Sequence, residues 1–243
     1  MPLCYIIISM KIPKNVFESK GIAYVQKYPY HDLSKTAKNG KRHYQTPDGR
    51  AVPSVTTVLS ATKDMTHLNA WKKRIGEQRA QQIATETANI GTVMHRSLEK
   101  HVKGQDRTPG SNLIQQKAYA MANVIIDNGL KDVTEVWGSE VSLYYPELYA
   151  GTTDLVGIYK GQPFIGDFKQ ARRLKKKEWV EDYYLQLTAY AEAHNKMYGT
   201  NIKNGRMFIC TQKKEFQSFE IENYDQWVGK WYAKLEQYYK SVL

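Results

Sequence analysis

The chain of 243 residues reads as an α/β protein, a mixed central β-sheet flanked by helices. Three observations lead there. Residues 133–145 alternate apolar and polar side chains with a period of two, as half-buried strands do, and residues 151–170 read as two short apolar strands joined by a turn. Residues 68–101, 112–128 and 175–199 instead repeat their apolar positions at helical spacing. A late hairpin at 205–222 and a closing helix at 223–239 complete the order helices, strand meander, helix, hairpin, helix.

Taken in turn, the first 40 residues are weakly patterned. Their opening "LCYIIISM" is too short for a membrane span and has no basic leader, so no signal peptide is expected, and the lack of arginine there argues against a transit peptide. "YPYHDLSKTAKNGKRHY" reads as a loop and an edge strand, and "RHYQTPDGRAVPSVTTVL" as a hairpin turning at Pro47, Asp48 and Gly49. Ser54 or Thr56 is placed to cap a helix starting near Val55. The helical pattern from Leu68 to His101 is expected to break near Thr85–Asn89. The next helix, Asn112 to Asn128, stops at "NGL". After the strand at 133–145, "PELYAG" turns the chain into strands at 152–159 and 163–169. Gly199 ends the following helix. "GRMFICT" and "EFQSFEIE" pair as a hairpin, and the closing helix sets Trp227, Trp231 and Leu235 on one packing face. No repeat or linker divides the chain. One domain is therefore expected: an extension over 1–42, a helical segment over 55–104, and a core sheet, motif helix and hairpin-helix over 130–243.

Composition narrows the function classes. A net charge of +11 favours a polyanionic partner, nucleic acid before anionic membrane, although such a charge also serves solubility. The basic residues do not form a helix face opposite an apolar one, which argues against a membrane partner. Two cysteines, Cys4 and Cys210, without metal-type spacing exclude a disulfide framework and a cysteine-built zinc or iron–sulfur site. A soluble, intracellular chain without a transmembrane segment is expected. Eighteen tyrosines suit either a stacking surface or a half-buried shell.

The most informative stretch is "GTTDLVGIYKGQPFIGDFKQ", residues 151–170. A two-residue turn at Lys160-Gly161 pairs Tyr159 with Gln162 and sets Asp154 opposite Asp167. Opposed Cβ atoms lie roughly 5 Å apart, so the two carboxylates repel unless they share a proton or a cation. Lys169 leaves the same strand face as Asp167. The group is either a set of ordinary salt bridges or the site of a hard divalent ion, Mg²⁺ or Mn²⁺. Elsewhere, "GTVMHRSLEKH" aligns Gly91, His95 and Glu99 on one helix face. Gly91 there permits close approach, and His95 is a metal or phosphate ligand or else a packing residue. "YYLQLTAYAEAH" aligns Gln186 with Tyr190, either a hydrogen-bonded pair or a contact to a phosphate or base. "KQARRLKKKEW" holds six Lys or Arg among eleven residues beside Asp167, a solvated face or a phosphate grip.

In this order, "GTVMH…E…GTTD…GDFK…QLTAY" resembles the RecB-type branch of the PD-(D/E)XK nucleases. Within it, the pattern is most similar to the mitochondrial genome maintenance exonucleases and their viral and bacterial relatives. "VPSVTTVL" and "NAWKKRIG" add to the resemblance, which spans about residues 43–200. It implies a restriction-endonuclease-like core. It also implies that His95, Asp154, Asp167 and the backbone carbonyl of Phe168 are metal ligands and that Lys169 is the catalytic lysine. Glu140 falls where relatives often carry an acid, and Gln186 and Tyr190 fall on a downstream motif that supports the site and contacts DNA. Ser54, Thr56, Lys72, Lys73, Arg172, Arg173 and Lys175 are the further DNA-facing candidates. The segment around 62–90 helps to form a wall or arch over the site in the relatives. Its cations fit that role, while Leu68, Trp71 and Ile75 equally fit a plain core helix. Some relatives hold an iron–sulfur cluster, which two cysteines cannot build here.

The leading expectation is a Mg²⁺- or Mn²⁺-dependent DNA exonuclease preferring single-stranded ends, with one or two ions and no iron–sulfur cluster. The alternatives are a structure-specific endonuclease on the same fold and a catalytically idle DNA-binding module. DNA is the expected partner, and a monomer the favoured state.

Overall fold

Lys160 and Gly161 both take positive φ, 48° and 77°, the geometry of a two-residue turn whose twist matches its strands. That turn joins two long strands in the computed structural model, which describes residues 17–19 and 22–242. The run "LCYIIISM" and Cys4 lie outside those residues.

The strands are β1 (Phe17–Ser19), β2 (Ile22–Tyr24), β3 (Lys35–Lys38), β4 (Lys41–Gln45), β5 (Ala51–Pro53), β6 (Val133–Tyr145), β7 (Tyr149–Tyr159), β8 (Gln162–Ala171), β9 (Asn204–Thr211) and β10 (Phe216–Glu220). The helices are α1 (Val55–Ala61), α2 (Thr66–Ile75), α3 (Glu77–Val102), α4 (Leu113–Asn128), α5 (Glu181–Tyr198) and α6 (Tyr224–Val242). A seven-stranded mixed sheet runs β1-β2-β6-β7-β8-β9-β10, and β3-β4-β5 form a small separate sheet. β6, β7 and β8 are antiparallel neighbours, whereas β8 and β9 are parallel and joined through α5. Helices cover both faces. Val156, Ile165, Met207 and Ile209 pack under α5 and α6 with Leu187, Trp231 and Leu235. Leu155, Phe164, Phe168 and Phe208 pack under α3 and α4 with Met94, Leu98 and Met121.

The meander, the late hairpin and the closing helix stand where expected, whereas the motif helix, expected from residue 175, begins at Glu181 after a short turn at Lys177–Trp179. Gly199 takes the left-handed conformation that ends α5. Asn112 caps α4 through a reciprocal pair with Gln115. The break in the long helical segment falls elsewhere than expected. It is at Gly76, with φ 85° and ψ 144°, and α3 then runs unbroken through Thr85–Asn89. The polar run there does not stop a helix whose buried contacts, Ile90 and Met94, follow directly. The expected single edge strand before residue 45 is a hairpin, β3–β4, turned by Asn39-Gly40 with positive φ at both positions. β2, in the weakly patterned start, pairs in parallel with β6. α2 buries no residue, so Leu68, Trp71 and Ile75 do not form a core face.

Candidate active site

β7 and β8 pair from Tyr159↔Gln162 to Leu155↔Gly166 and then separate. Beyond that point β7 stays paired with β6, with a single parallel bridge from Ala150 to Ser54, and β8 stays paired with β9. Asp154 and Asp167 are the first residues past the fork, opposite each other by continuation of the register. Side chains replace the missing ladder. The Phe168 amide donates to Asp154 Oδ2 at 2.6 Å, and the Thr153 hydroxyl donates to the Gly166 carbonyl at 3.2 Å.

Each buried acid has its own cation. His95, from α3, places Nδ1 3.2 Å from Asp154 Oδ1. Lys169 donates to Asp167 on its own strand. Glu140 lies on β6 level with Asp154, between the pairs Ser139↔Leu155 and Val141↔Thr153. Its φ of 56° is left-handed, a conformation costly for a residue with a side chain. His95, Glu140 and Asp154 bring one ligand atom each to within 4.8 Å of one another. The three acids, His95 and Lys169 thus share one pocket of about 270 Å³, with Gln186, Tyr190 and Thr56 in its wall.

The electrostatics reflect this crowding. Burial and the neighbouring Asp154 push Glu140 up to about 7 and Asp167 up to about 6. Burial opposes the charged imidazole of His95, but Asp154 outweighs it and lifts the ring to about 9. Burial also works against ionised Asp154, yet His95, Lys169 and the Phe168 amide hold its pKa below the ordinary value. Burial likewise opposes the Lys169 ammonium, and Asp167 with Asp154 overcomes it and raises the amine. The donor set is carboxylate oxygens and one imidazole, with no thiolate. Cys210 is buried on the opposite face of the sheet, among the residues under α3 and α4. Such a set suits a hard divalent ion.

The motif helix contributes the floor. Gln186 Nε2 donates to the Tyr190 hydroxyl at 3.0 Å, both side chains buried. The pair expected either to bond internally or to contact a strand does bond internally, and it lines the pocket as well. A Cβ on Gly151 would sit 2.6 Å from the Tyr190 ring, so glycine there makes room for it.

Other candidates are dispersed. The Phe168 side chain packs in the core, edge-on to His95 at 6.1 Å, which leaves its backbone for the site. Ser54, expected to face DNA, is 1% exposed, and its hydroxyl caps α1 by accepting from the Thr57 amide at 3.0 Å. Arg173 and Lys175 line a neighbouring cleft, whereas Arg172, Lys72 and Lys73 line neither cavity. Gly91 meets only Gln170, at an ordinary 3.8 Å from an added Cβ, so its position does not demand glycine. Glu99 pairs with Lys103 at 2.6 Å, outside the pocket.

Two pocket cations were not legible from motifs. Lys35 and Arg42, on the small sheet, line the same pocket as the acids, and Arg42 donates to Thr56 Oγ1 at 2.7 Å. Their signal is the basic hairpin around Asn39-Gly40. Tyr183, one turn before Gln186, holds its ring 5.7 Å from Lys169 Nζ.

No family model matches the chain, and no curated protein does. Among the solved structures similar to it are two that differ widely in likeness. A "Putative exonuclease" from Eubacterium rectale is 12% identical, with a TM-score of 0.48 and coverage of 63% of this chain and 64% of that one. The chain therefore spans less than two thirds of that protein's length. A protein named SSO0001 is 13% identical, with a TM-score of 0.31 and coverage of 60% of this chain and 84% of that one.

Proposed function

We propose that the chain is a metal-dependent deoxyribonuclease, an exonuclease of the RecB-type PD-(D/E)XK pattern that prefers single-stranded DNA ends. One observation carries the reading. Acids from three adjacent strands, Glu140, Asp154 and Asp167, meet His95 and Lys169 where β7 and β8 part. That arrangement concentrates negative charge beside a lysine, which is what holding Mg²⁺ or Mn²⁺ against a phosphodiester requires.

His95, Glu140, Asp154 and Asp167 would hold the ion, with the Phe168 carbonyl as a further donor. When bound, it neutralises the phosphate and acidifies a water. Lys169, held by Asp167 beside Tyr183, orients the attacking water and offsets the charge that builds in the transition state. Lys35 and Arg42, from the small sheet, line the same pocket and would take the non-bridging oxygens of the same phosphate. Gln186 and Tyr190 fix the floor against which the nucleotide is placed. The net charge of +11 supports DNA as the partner, since cations contribute most of a sequence-independent affinity. Among the described residues no helix is long and apolar enough to cross a membrane.

End-labelled single-stranded, duplex and covalently closed circular DNA, incubated with Mn²⁺ or with EDTA, tests the reading. Linear single strands are expected to shorten from an end with the metal only, and the circle to stay intact. Cutting of the circle means an endonuclease, and binding without cutting means an idle module. Asp167→Asn and Lys169→Ala are each expected to lower the rate at least about 100-fold; full activity in either removes the site assignment.

A further inference from the structure

A second cavity, of about 230 Å³, lies one strand away from the acid pocket. Glu140 lines both, and Ser142 in the cavity is the register partner of Thr152 in the pocket. Neighbouring strands are only about 4.8 Å apart. We infer that the cavity receives the base of the nucleotide whose phosphate occupies the acid pocket. This inference deepens the proposed nuclease reading and rests on it for the identity of that phosphate.

The cavity exists because β2 is short. β2 pairs with β6 at Ala23↔Glu135 and Tyr24↔Val136, and one more bond follows, from the Val25 amide to the Val136 carbonyl at 2.8 Å. Among the described residues no strand takes up that edge of β6 from Trp137 to Ser142. Gln26, Tyr30, His31 and Asp32, from the segment after β2, close the cavity over it. The same segment reaches the acid pocket at Lys35. An open strand edge offers backbone N–H and C=O groups, which suit the donors and acceptors on the rim of a base. Ser139 lines the cavity as well, and its hydroxyl is buried without a hydrogen-bond partner among the described residues. Gln170 Oε1, Thr188 Oγ1 and Trp231 Nε1 share that state but line neither the cavity nor the pocket. A buried polar atom left without a partner is costly, and a bound base removes that cost at Ser139.

The aromatic wall is fixed in place. The Tyr30 hydroxyl lies 2.9 Å from His194 Nε2, and His194 Nδ1 lies 2.8 Å from Thr200 Oγ1. A Cβ on Gly138 would sit 2.7 Å from the Tyr30 ring, so glycine there seats the ring against β6. A ring held in this way loses little freedom when a base stacks on it. Charge divides the two chambers. Lys35, Arg42 and Lys169 line the acid pocket, whereas among the described residues no lysine or arginine lines the cavity. Phosphate is therefore favoured in the pocket and an uncharged ring in the cavity. Asp32 in the cavity lining also disfavours a second phosphate there. The volume lies below the roughly 300 Å³ at which pockets begin to enclose whole drug-sized ligands, so it suits one ring system and not a length of strand.

Deoxyadenosine 5′- and 3′-monophosphate and base-free deoxyribose 5-phosphate are titrated in EDTA, with binding read by ligand-observed NMR saturation transfer. EDTA keeps the measurement independent of catalysis. A failed nuclease reading appears separately, as DNA left intact by the wild-type protein with Mn²⁺. At least one of the two nucleotides is expected to bind about tenfold more tightly than the sugar phosphate, its base protons the most strongly saturated. Gln26 is exposed at the cavity rim, so Gln26→Trp obstructs the cavity without removing core packing. It is expected to abolish the tenfold advantage and to leave sugar phosphate binding within twofold of wild type. Ser139→Ala is expected to lower nucleotide affinity about threefold. Nucleotides that bind no better than the sugar phosphate, or whose affinity Gln26→Trp leaves unchanged, overturn the assignment.

Discussion

Glu140 holds a left-handed backbone next to two other acids, two unfavourable features in one residue. Strain kept at such a position is expected where the carboxylate has a task. Glycine adopts that φ freely, so Glu140→Gly and Glu140→Ala both remove the carboxylate, and only the first relieves the backbone. In EDTA, urea denaturation should show the glycine variant more stable than the alanine variant by about 1 kcal/mol. Both should bind Mn²⁺ at least about tenfold more weakly than wild type, because one of three clustered donors is gone. An alanine variant as stable as the glycine variant would show that the backbone there is unstrained. Glu140 also marks the limit of what residue types disclose. Its acid was legible within "GSEVSL", but its left-handed φ was not, because glutamate has no preference for that conformation.

The fork between β7 and β8 is the element that makes the site, and half of it was legible. Lys160-Gly161 set the register, and the register placed the acids in opposition. The separation beyond Leu155↔Gly166 was not legible, because it depends on β9 pairing with β8 across a helix-long connection. The same non-local cause hid β2, while the break at Gly76 was missed because a lone glycine in a polar helical pattern has no local mark. Along β7, Gly151 is a second element-level requirement. A methyl there lies 2.6 Å from one Tyr190 ring carbon and 3.1 Å from its hydroxyl, and neither belongs to a loose chain end. Gly151→Ala should destabilise by about 1–3 kcal/mol and pull Tyr190 from Gln186, with cleavage falling alongside. Adding Tyr190→Ala removes the clashing ring, so the double variant should cost clearly less than the sum of the two singles. Additive costs, by thermal or urea melts, would show that the methyl is accommodated elsewhere.

For the molecule as a whole, the site is a concentrated charge between two cores that would otherwise close over it. Among the groups there with raised pKa values are Asp167, at about 6, Glu140, at about 7, and His95, at about 9. A raised group stabilises the fold when protonated, and that contribution is complete below its unfolded value and lost as pH climbs through its folded one. Between about pH 4 and 9 the metal-free site therefore grows steadily less favourable to the fold. Asp154 runs the other way, its stabilisation present above its ordinary value and lost on acidification below it. A bound divalent ion competes with the same protons, so it should stabilise most where the apo protein is weakest. At pH 8, Mn²⁺ at about 100 times its dissociation constant should add about 2.7 kcal/mol, a rise in Tm of about 5–10 °C for a chain of this size. At pH 5 the same concentration should add about 2 °C or less, because three ligands then carry protons. Calorimetric melts at the two pH values, with Mn²⁺ and with EDTA, measure both. Asp154→Asn should lose the pH 8 shift, and an equal shift in that variant would place the ion somewhere other than the fork.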